Sequence, residues 1–397
     1  MAAAGAGAGL TLIATAVFFY DKTTPYPSVY TLTPVVGAVL VLVFSGPGTA
    51  VGRVLAWRIP VGLGLVSYSL YLWHQPLFAF ARLLADDPPS PTTFGILIAV
   101  AVGLSVLSWR YIETPFRQRS RFTRPQIFIL AGLATAAIIA AAATGIATKG
   151  FLVRYPAADH EMASRSADDW GEYVVHRFNT LKDRPFLPED GRPRLLVIGD
   201  SYAQDFINMA AESNWLDRFI PRTFYIPEKC QPYLGNEDVE RFIAQSYRDL
   251  CRESRTLADA ASLIRNADVV VLAARWHPWS AERLPGTISR LGIRADQTLV
   301  VIGSKRFGPL NINTLIKLPA AERTALRRVL PQPVNDILRA KLSAIDYVGI
   351  QETVCDSFDR CPVFTPEGQL ISFDYGHLTA AGARYLGGLI FKHRGLA

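Results

Sequence analysis

Five long apolar runs before residue 150 constrain this chain more than any other feature of its sequence. They cover roughly 4–20, 28–44, 61–84, 94–112 and 126–148. Each has about the 20 residues that a helix needs to cross a bilayer core. In lipid only helices and closed barrels satisfy every backbone polar group, so the runs read as transmembrane helices. The first run has no basic n-region and further spans follow it, which argues against a cleaved signal peptide. Hydrophobic residues make up 50% of the chain, and nearly all of the excess over a soluble protein lies here. The rest has the charge density of a soluble domain.

The loops between the runs set an orientation. Arg53 and Arg58 lie between the second and third runs; Arg117, Arg119, Arg121 and Arg124 lie between the fourth and fifth. The other loops hold Lys22 against Asp21, Asp86 and Asp87. The positive-inside rule puts the arginine loops in the cytoplasm. The fifth run then exits on the outer face, and everything after Lys149 is expected to be extracytoplasmic. The net charge of +7 is thereby explained as topology. No aromatic-interleaved basic groove is present, so nucleic acid is not an expected partner.

The cysteines agree with that orientation. Cys230, Cys251, Cys355 and Cys361 all fall in the exported half, where an even number reads as disulfides. Proximity favours Cys230–Cys251 and Cys355–Cys361, although four cysteines allow three pairings. No CxxC or CxxH spacing points to a metal, and no metal or bound cofactor is expected.

From 151 to 193 the sequence is polar and irregular, a linker or an extension packed on the next unit. After it, short apolar runs alternate with amphipathic stretches. Strands are predicted at 194–199 (RLLVIG), 219–226, 267–273 (ADVVVLA), 298–303 (TLVVIG) and 345–350. Their near-continuous Val/Ile/Leu content is what burial on both faces of a parallel sheet requires. Helices are predicted at 203–214, 237–265, 280–291, 320–328 and 380–392. The alternation implies a doubly wound, flavodoxin-like three-layer α/β/α domain, with ligands at the carboxyl ends of the strands.

Two short segments carry chemistry. Gly199-Asp200-Ser201 closes the first strand and opens a helix. A serine there has its own amide and the helix N-terminus facing any oxyanion formed when it attacks. Asp374-Tyr375-Gly376-His377 precedes the last helix. A hydroxyl needs a base, and the base needs a partner to hold its tautomer; Asp374 and His377 supply both on one loop. Taken singly, each segment is also an ordinary helix cap or surface loop.

Together, GDS after the first strand and DxxH before the last helix resemble the SGNH/GDSL hydrolases, whose fold brings those two ends to one edge of the sheet. The resemblance narrows in the apolar half. Segments 67–76 (SYSLYLWHQP) and 109–117 (WRYIETPFR) look like the closing signatures of the acyltransferase-3 membrane family. One branch of that family ends in a fused SGNH domain, and 373–382 (FDYGHLTAAG) with Cys355 and Cys361 resembles its C-terminal region. The resemblance implies a bacterial inner-membrane O-acyltransferase moving acyl groups, most simply acetyl, from cytoplasmic acyl-CoA to a cell-surface glycan such as lipopolysaccharide or peptidoglycan. It implies three parts: 1–149, a membrane domain; 150–193, an extension; 194–397, the SGNH domain. Only the last half of the family's membrane domain is represented, so the chain is either a fragment or a partner of a separately encoded first half. The family's oxyanion blocks are also altered. Gly235-Asn236 is the candidate for the second, and Ala274-Arg275-Trp276 stands where a GxND is expected.

Further candidates have bland alternatives beside them. His74, at mid-membrane depth, is a functional candidate or a neutral histidine bonded to a helix. Glu113 and Arg117 are membrane-domain candidates, or span-end residues that snorkel. Trp276, His277 and Trp279 offer a carbohydrate platform or core packing. Three functions compete: O-acyl transfer through an acyl-Ser201 intermediate, plain ester hydrolysis by the same triad, and a tethered glycan-binding module with a relic triad.

Overall fold

The computed structural model describes every residue except 22–23, 86–87, 119–121, 187–190, 309, 343–345, 358 and 394–397. Lys22, Asp86, Asp87, Arg119 and Arg121, used above for orientation, lie outside the described residues, as does the start of the strand predicted at 345. The chain divides into two compact units, Met1–Ala141 and Ala142–Ala397.

In the first unit each apolar run is helical. Ala2–Phe19, Pro91–Arg117 and Arg124–Ala147 are long and apolar enough to cross a membrane. Over the second run the apolar helix Val29–Phe44 is shorter. Over the third, Arg58–Leu84 has 27 residues but carries the polar set Ser67, Tyr68, Ser69, His74 and Gln75. Helices Ala2–Phe19 and Leu32–Phe44 meet backbone to backbone. A Cβ on Gly9 would lie 2.7 Å from the Gly37 carbonyl oxygen, the close approach that small residues allow between membrane helices.

The two family-like segments meet in this unit. Trp73 Nε1 donates to Ser108 Oγ at 2.8 Å, and Ser69 Oγ donates to Glu113 Oε2 at 3.3 Å. Trp109–Glu113 winds as a wider π turn, a local departure often found at functional sites.

The second unit is built on a parallel sheet. Strands β1 (Arg194–Gly199), β2 (Ile220–Tyr225), β3 (Val269–Ala273), β4 (Thr298–Ile302) and β6 (Asp346–Val348) run in the order β2-β1-β3-β4-β6. β5 (Arg327–Val329) and β7 (Arg360–Pro362) form a separate antiparallel pair. Side chains alternate across the main sheet as its both-face burial demands. Leu195, Val197, Val271 and Val300 enter one core with Phe206, Leu386 and Ile390. Leu196, Ile198, Val270 and Val301 enter the other with Leu284 and Leu338. Helices Ser201–Glu212 and Ala380–His393 cover the first face; Pro278–Arg290 and Pro333–Lys341 cover the second. This is the three-layer sandwich expected from the sequence. The order reverses on either side of β1, so the crevice at its carboxyl end is the topological switch point where ligands bind.

Three local expectations change. The stretch 151–193, read as irregular, contains the helix Ala167–Leu181, opened by a Ser166/Asp169 capping box. Its Trp170, Val174 and Phe178 are all buried, and Phe178 joins the first core. The single helix expected at 237–265 is instead a series of short turns, the longest being Arg248–Glu253 and Ala261–Asn266. The Cys230–Cys251 disulfide ties the first of these to the loop after β2. At 320–328 the helix stops at Ala325 and the chain enters β5. The second disulfide is Cys355–Cys361, so both bridges follow the proximity pairing.

Candidate functional site: the crevice at the end of β1

Gly199 closes β1 where nothing larger fits. Its φ is +151°, and a Cβ would lie 1.7 Å from the Ala273 carbonyl oxygen of β3. Asp200 follows and is 1% exposed. One of its carboxylate oxygens accepts from Tyr202 N at 2.8 Å, the other from Arg275 N at 2.9 Å. It therefore caps the helix and pins the loop after β3 to the turn. Burial pushes its pKa up to about 6, and the two amide donors offset only part of that. Ser201 is then the first residue of the 201–212 helix, partly exposed.

The DxxH loop reaches the same place. Asp374 Oδ1 accepts from the amides of Gly376 and His377, both at 2.8 Å, and Oδ2 meets His377 Nδ1 at 2.6 Å. Burial would raise the Asp374 pKa, but the His377 hydrogen bond and the two amides outweigh it and hold the carboxyl down at about 2. An ionised carboxylate only accepts, so Nδ1 carries the proton and the neutral ring keeps a free lone pair on Nε2. Burial would lower the His377 pKa; the Asp374 bond and the Asp205 charge prevail and raise it above its ordinary value.

Ser201, Asp374 and His377 all line one cavity of about 430 Å³. Among the described residues no hydrogen bond joins Ser201 Oγ to His377; such bonds commonly tighten only with substrate in place. The walls are largely apolar: Trp170, Val174 and Val175 from the 167–181 helix, with Ile312 and Phe373. Phe373 stacks between Trp170 (5.6 Å) and the His377 ring (6.0 Å), and the Arg165 guanidinium lies 4.7 Å over Trp170. Gln204 also lines the cavity, 6% exposed, and its side-chain amide has no hydrogen-bond partner among the described residues.

A family description reading "SGNH domain (fused to AT3 domains)" matches residues 168–392. The chain belongs to that family. Among curated proteins, it is 31% identical over 118 residues to a Bacillus subtilis protein named as a candidate peptidoglycan O-acetyltransferase, YrhL, covering 28% of this chain and 18% of that one. It is 26% identical over 85 residues to the peptidoglycan O-acetyltransferase OatA of Listeria monocytogenes, covering 21% and 14%. The matched part of each relative is thus less than a fifth of its length. Among solved structures, the periplasmic domain of a Salmonella Paratyphi A lipopolysaccharide acetyltransferase aligns over 57% of this chain and 96% of its own, with 16% identity and a TM-score of 0.38.

The other predicted residues are placed elsewhere. Gly235 and Asn236 do not line the Ser201 cavity. Their loop lies on the 278–290 helix, where Leu234 N donates to Thr287 Oγ1 at 3.2 Å and Glu237 pairs with Arg283 at 2.7 Å. Trp276 and Trp279 are 3% and 8% exposed. The Trp276 indole donates to the Ile302 carbonyl, and Trp279 stacks on Phe242. These are packing tryptophans, not a carbohydrate platform. His277 pairs with Glu228 at 3.0 Å, and that hydrogen bond is the main reason the Glu228 pKa falls to about 2. In the membrane unit, His74 Nδ1 bonds the Leu70 carbonyl of its own helix at 3.0 Å, and Glu113 holds Arg117 at 2.7 Å.

Sequence reasoning missed Trp170 and Gln204 in the cavity wall, and Asp205 and Lys305, two fully buried charged residues outside it. Trp170 was legible as the start of an i, i+4, i+8 apolar stripe (Trp170, Val174, Phe178) behind a Ser-x-x-Asp cap. Gln204, Asp205 and Lys305 carry no comparable signal, because only the fold shows that they are buried.

Proposed function

We propose that this chain transfers an acyl group, acetyl in the simplest case, to a hydroxyl of an extracytoplasmic bacterial glycan through an ester on Ser201. The observation that carries this reading is the His377–Asp374 pair facing the same cavity as Ser201 at the switch point of the sheet. His377 Nε2 takes the Ser201 proton as Oγ attacks the acyl carbonyl. The oxyanion forms against the Ser201 amide and the N-terminus of the 201–212 helix. The proton passes to the leaving group, and the acyl group remains on Oγ. His377 then takes the proton of an acceptor hydroxyl, which attacks the ester and regenerates Ser201. Asp374 holds the ring and stabilises its protonated form.

Peptidoglycan and lipopolysaccharide, the substrates in the names of similar proteins, are the acceptor classes this reading extends to the chain. The positive-inside reading of the basic loops supports a 194–397 domain outside the inner membrane, tethered by the spans of 1–149 and the 150–193 extension. On this reading acyl-CoA is the donor at the membrane domain, and a separately encoded membrane-domain segment is a partner class for it. The test is incubation of membranes containing the chain with an acetyl donor and de-O-acetylated cell-wall glycan. Acetyl ester on the glycan supports transfer; free acetate alone points to a hydrolase. Undiminished glycan acetylation by Ser201→Ala would overturn the assignment.

A further inference from the structure

A charge pair that the steps above do not use sits directly behind the base. Lys305, just beyond β4, and Asp205, one turn after Ser201 on the same helix, are each fully buried and meet at 2.6 Å. Each also holds a peptide group beside His377. Lys305 Nζ donates to the Gly376 carbonyl at 2.5 Å, and Asp205 Oδ1 accepts from Leu378 N at 3.1 Å. The Lys305 ammonium lies 3.9 Å from the Tyr202 ring centroid, and the Tyr202 hydroxyl donates to the Lys305 carbonyl. Gly376 permits this proximity, since a Cβ there would lie 2.7 Å from the Tyr202 hydroxyl. Two residues beyond Lys305, Phe307 N donates to the Tyr375 carbonyl at 2.9 Å.

A buried ion pair is weak evidence of stabilisation, because apolar replacements of similar volume are commonly as stable or more so. What this pair does have is direction. It joins the helix that begins with Ser201 to both peptide groups flanking His377, so it fixes the separation between nucleophile and base. We infer that Asp205 and Lys305 form a positioning pair that sets the reach of His377 toward Ser201. This rests on the acyl-serine reading above. Asp374 orients the ring about its own axis; the buried pair fixes where the loop stands. A displacement of the order of 1 Å at a reacting pair costs on the order of 100-fold in rate.

The test uses the full chain in detergent, hydrolysing 4-nitrophenyl acetate, with circular dichroism as the check on folding. The double variant Asp205→Asn/Lys305→Met removes both charges together and leaves no buried ion unpaired. It is expected to fold, to lose on the order of 100-fold in kcat with little change in KM, and to slow fluorophosphonate labelling of Ser201 in parallel. Asp205→Asn alone keeps the acceptor for Leu378 N but leaves the Lys305 ammonium buried without its carboxylate, so it is expected to be less stable than the double variant. A folded double variant with wild-type kcat would overturn the inference. So would one that fails to fold, since the pair would then be needed for stability. Ser201→Ala is run beside them: if it keeps turnover, the acyl-serine reading itself has failed, and the positioning claim falls with it.

Discussion

Gly199→Ala tests the geometry from which the whole crevice is built. The added Cβ would stand 1.7 Å from the Ala273 carbonyl oxygen, a backbone atom that no rotamer change can move aside. The backbone at φ +151° is itself strained for any other residue, at about 1–3 kcal/mol. Parting β1 from β3 adds an overpacking cost of about 1–3 kcal/mol. It also endangers the bond from Ile226 N to the Gly199 carbonyl, about 1 kcal/mol. A loss of about 3–7 kcal/mol is therefore expected. At roughly 2–4 °C per kcal/mol for a unit of this size, Tm should fall by at least about 6 °C. Near-ultraviolet circular dichroism of the α/β unit during heating reads this directly. Gly388→Ala is the matched control. Its site lies in the 380–393 helix with nothing within 4 Å of an added Cβ, so alanine should stabilise by about 0.5–1 kcal/mol. Equal Tm values for wild type and Gly199→Ala would refute the close β1–β3 approach.

Three more outcomes are expected. Turnover needs neutral His377, so the pH–rate limb should lie above the ordinary histidine value of 6.5, and Asp374→Asn should move that limb to lower pH while cutting the maximum on the order of 10⁴-fold. Stability has the opposite sign: with a raised folded pKa, the contribution of protonated His377 is full below its unfolded value and is lost as pH rises through the folded one. Gln204→Leu removes a cavity-wall amide that has no hydrogen-bond partner among the described residues, so it should leave Tm unchanged or raised while increasing KM for the glycan acceptor; a lower Tm with unchanged KM would contradict its place in the binding cavity. A cysteine at Ser90 should react with an impermeant maleimide in intact cells and one at Gln118 only after permeabilisation, and the reverse pattern would invert the orientation drawn from the loop charges.

The elements read correctly from sequence are those whose pattern is their cause. RLLVIG and ADVVVLA are apolar on both faces because both faces are buried, and GDS and DxxH are local because a turn and a hydrogen-bonded loop are local. The 167–181 helix was missed although its period was present, because the charged residues Asp168, Asp169 and Glu172 obscure a narrow stripe. The 237–265 segment has helix-forming residues, but a disulfide and a second capping box at Thr256/Asp259 break it into turns. Asp205 and Lys305 were beyond reach for another reason. Their pairing spans a hundred residues of sequence, and only the order β2-β1-β3-β4-β6 brings the end of β4 against the helix after β1.

The central claim is that acyl transfer passes through Ser201, and trapping the intermediate tests it most directly. The full chain is mixed with an acetyl donor, quenched in acid within the first turnover, digested and examined by mass spectrometry. An acetyl ester on the peptide containing Ser201, formed at a competent rate and lost on adding the glycan acceptor, is the predicted result. Acetyl found on another residue, or glycan acetylation proceeding at full rate with Ser201 never modified, would contradict it.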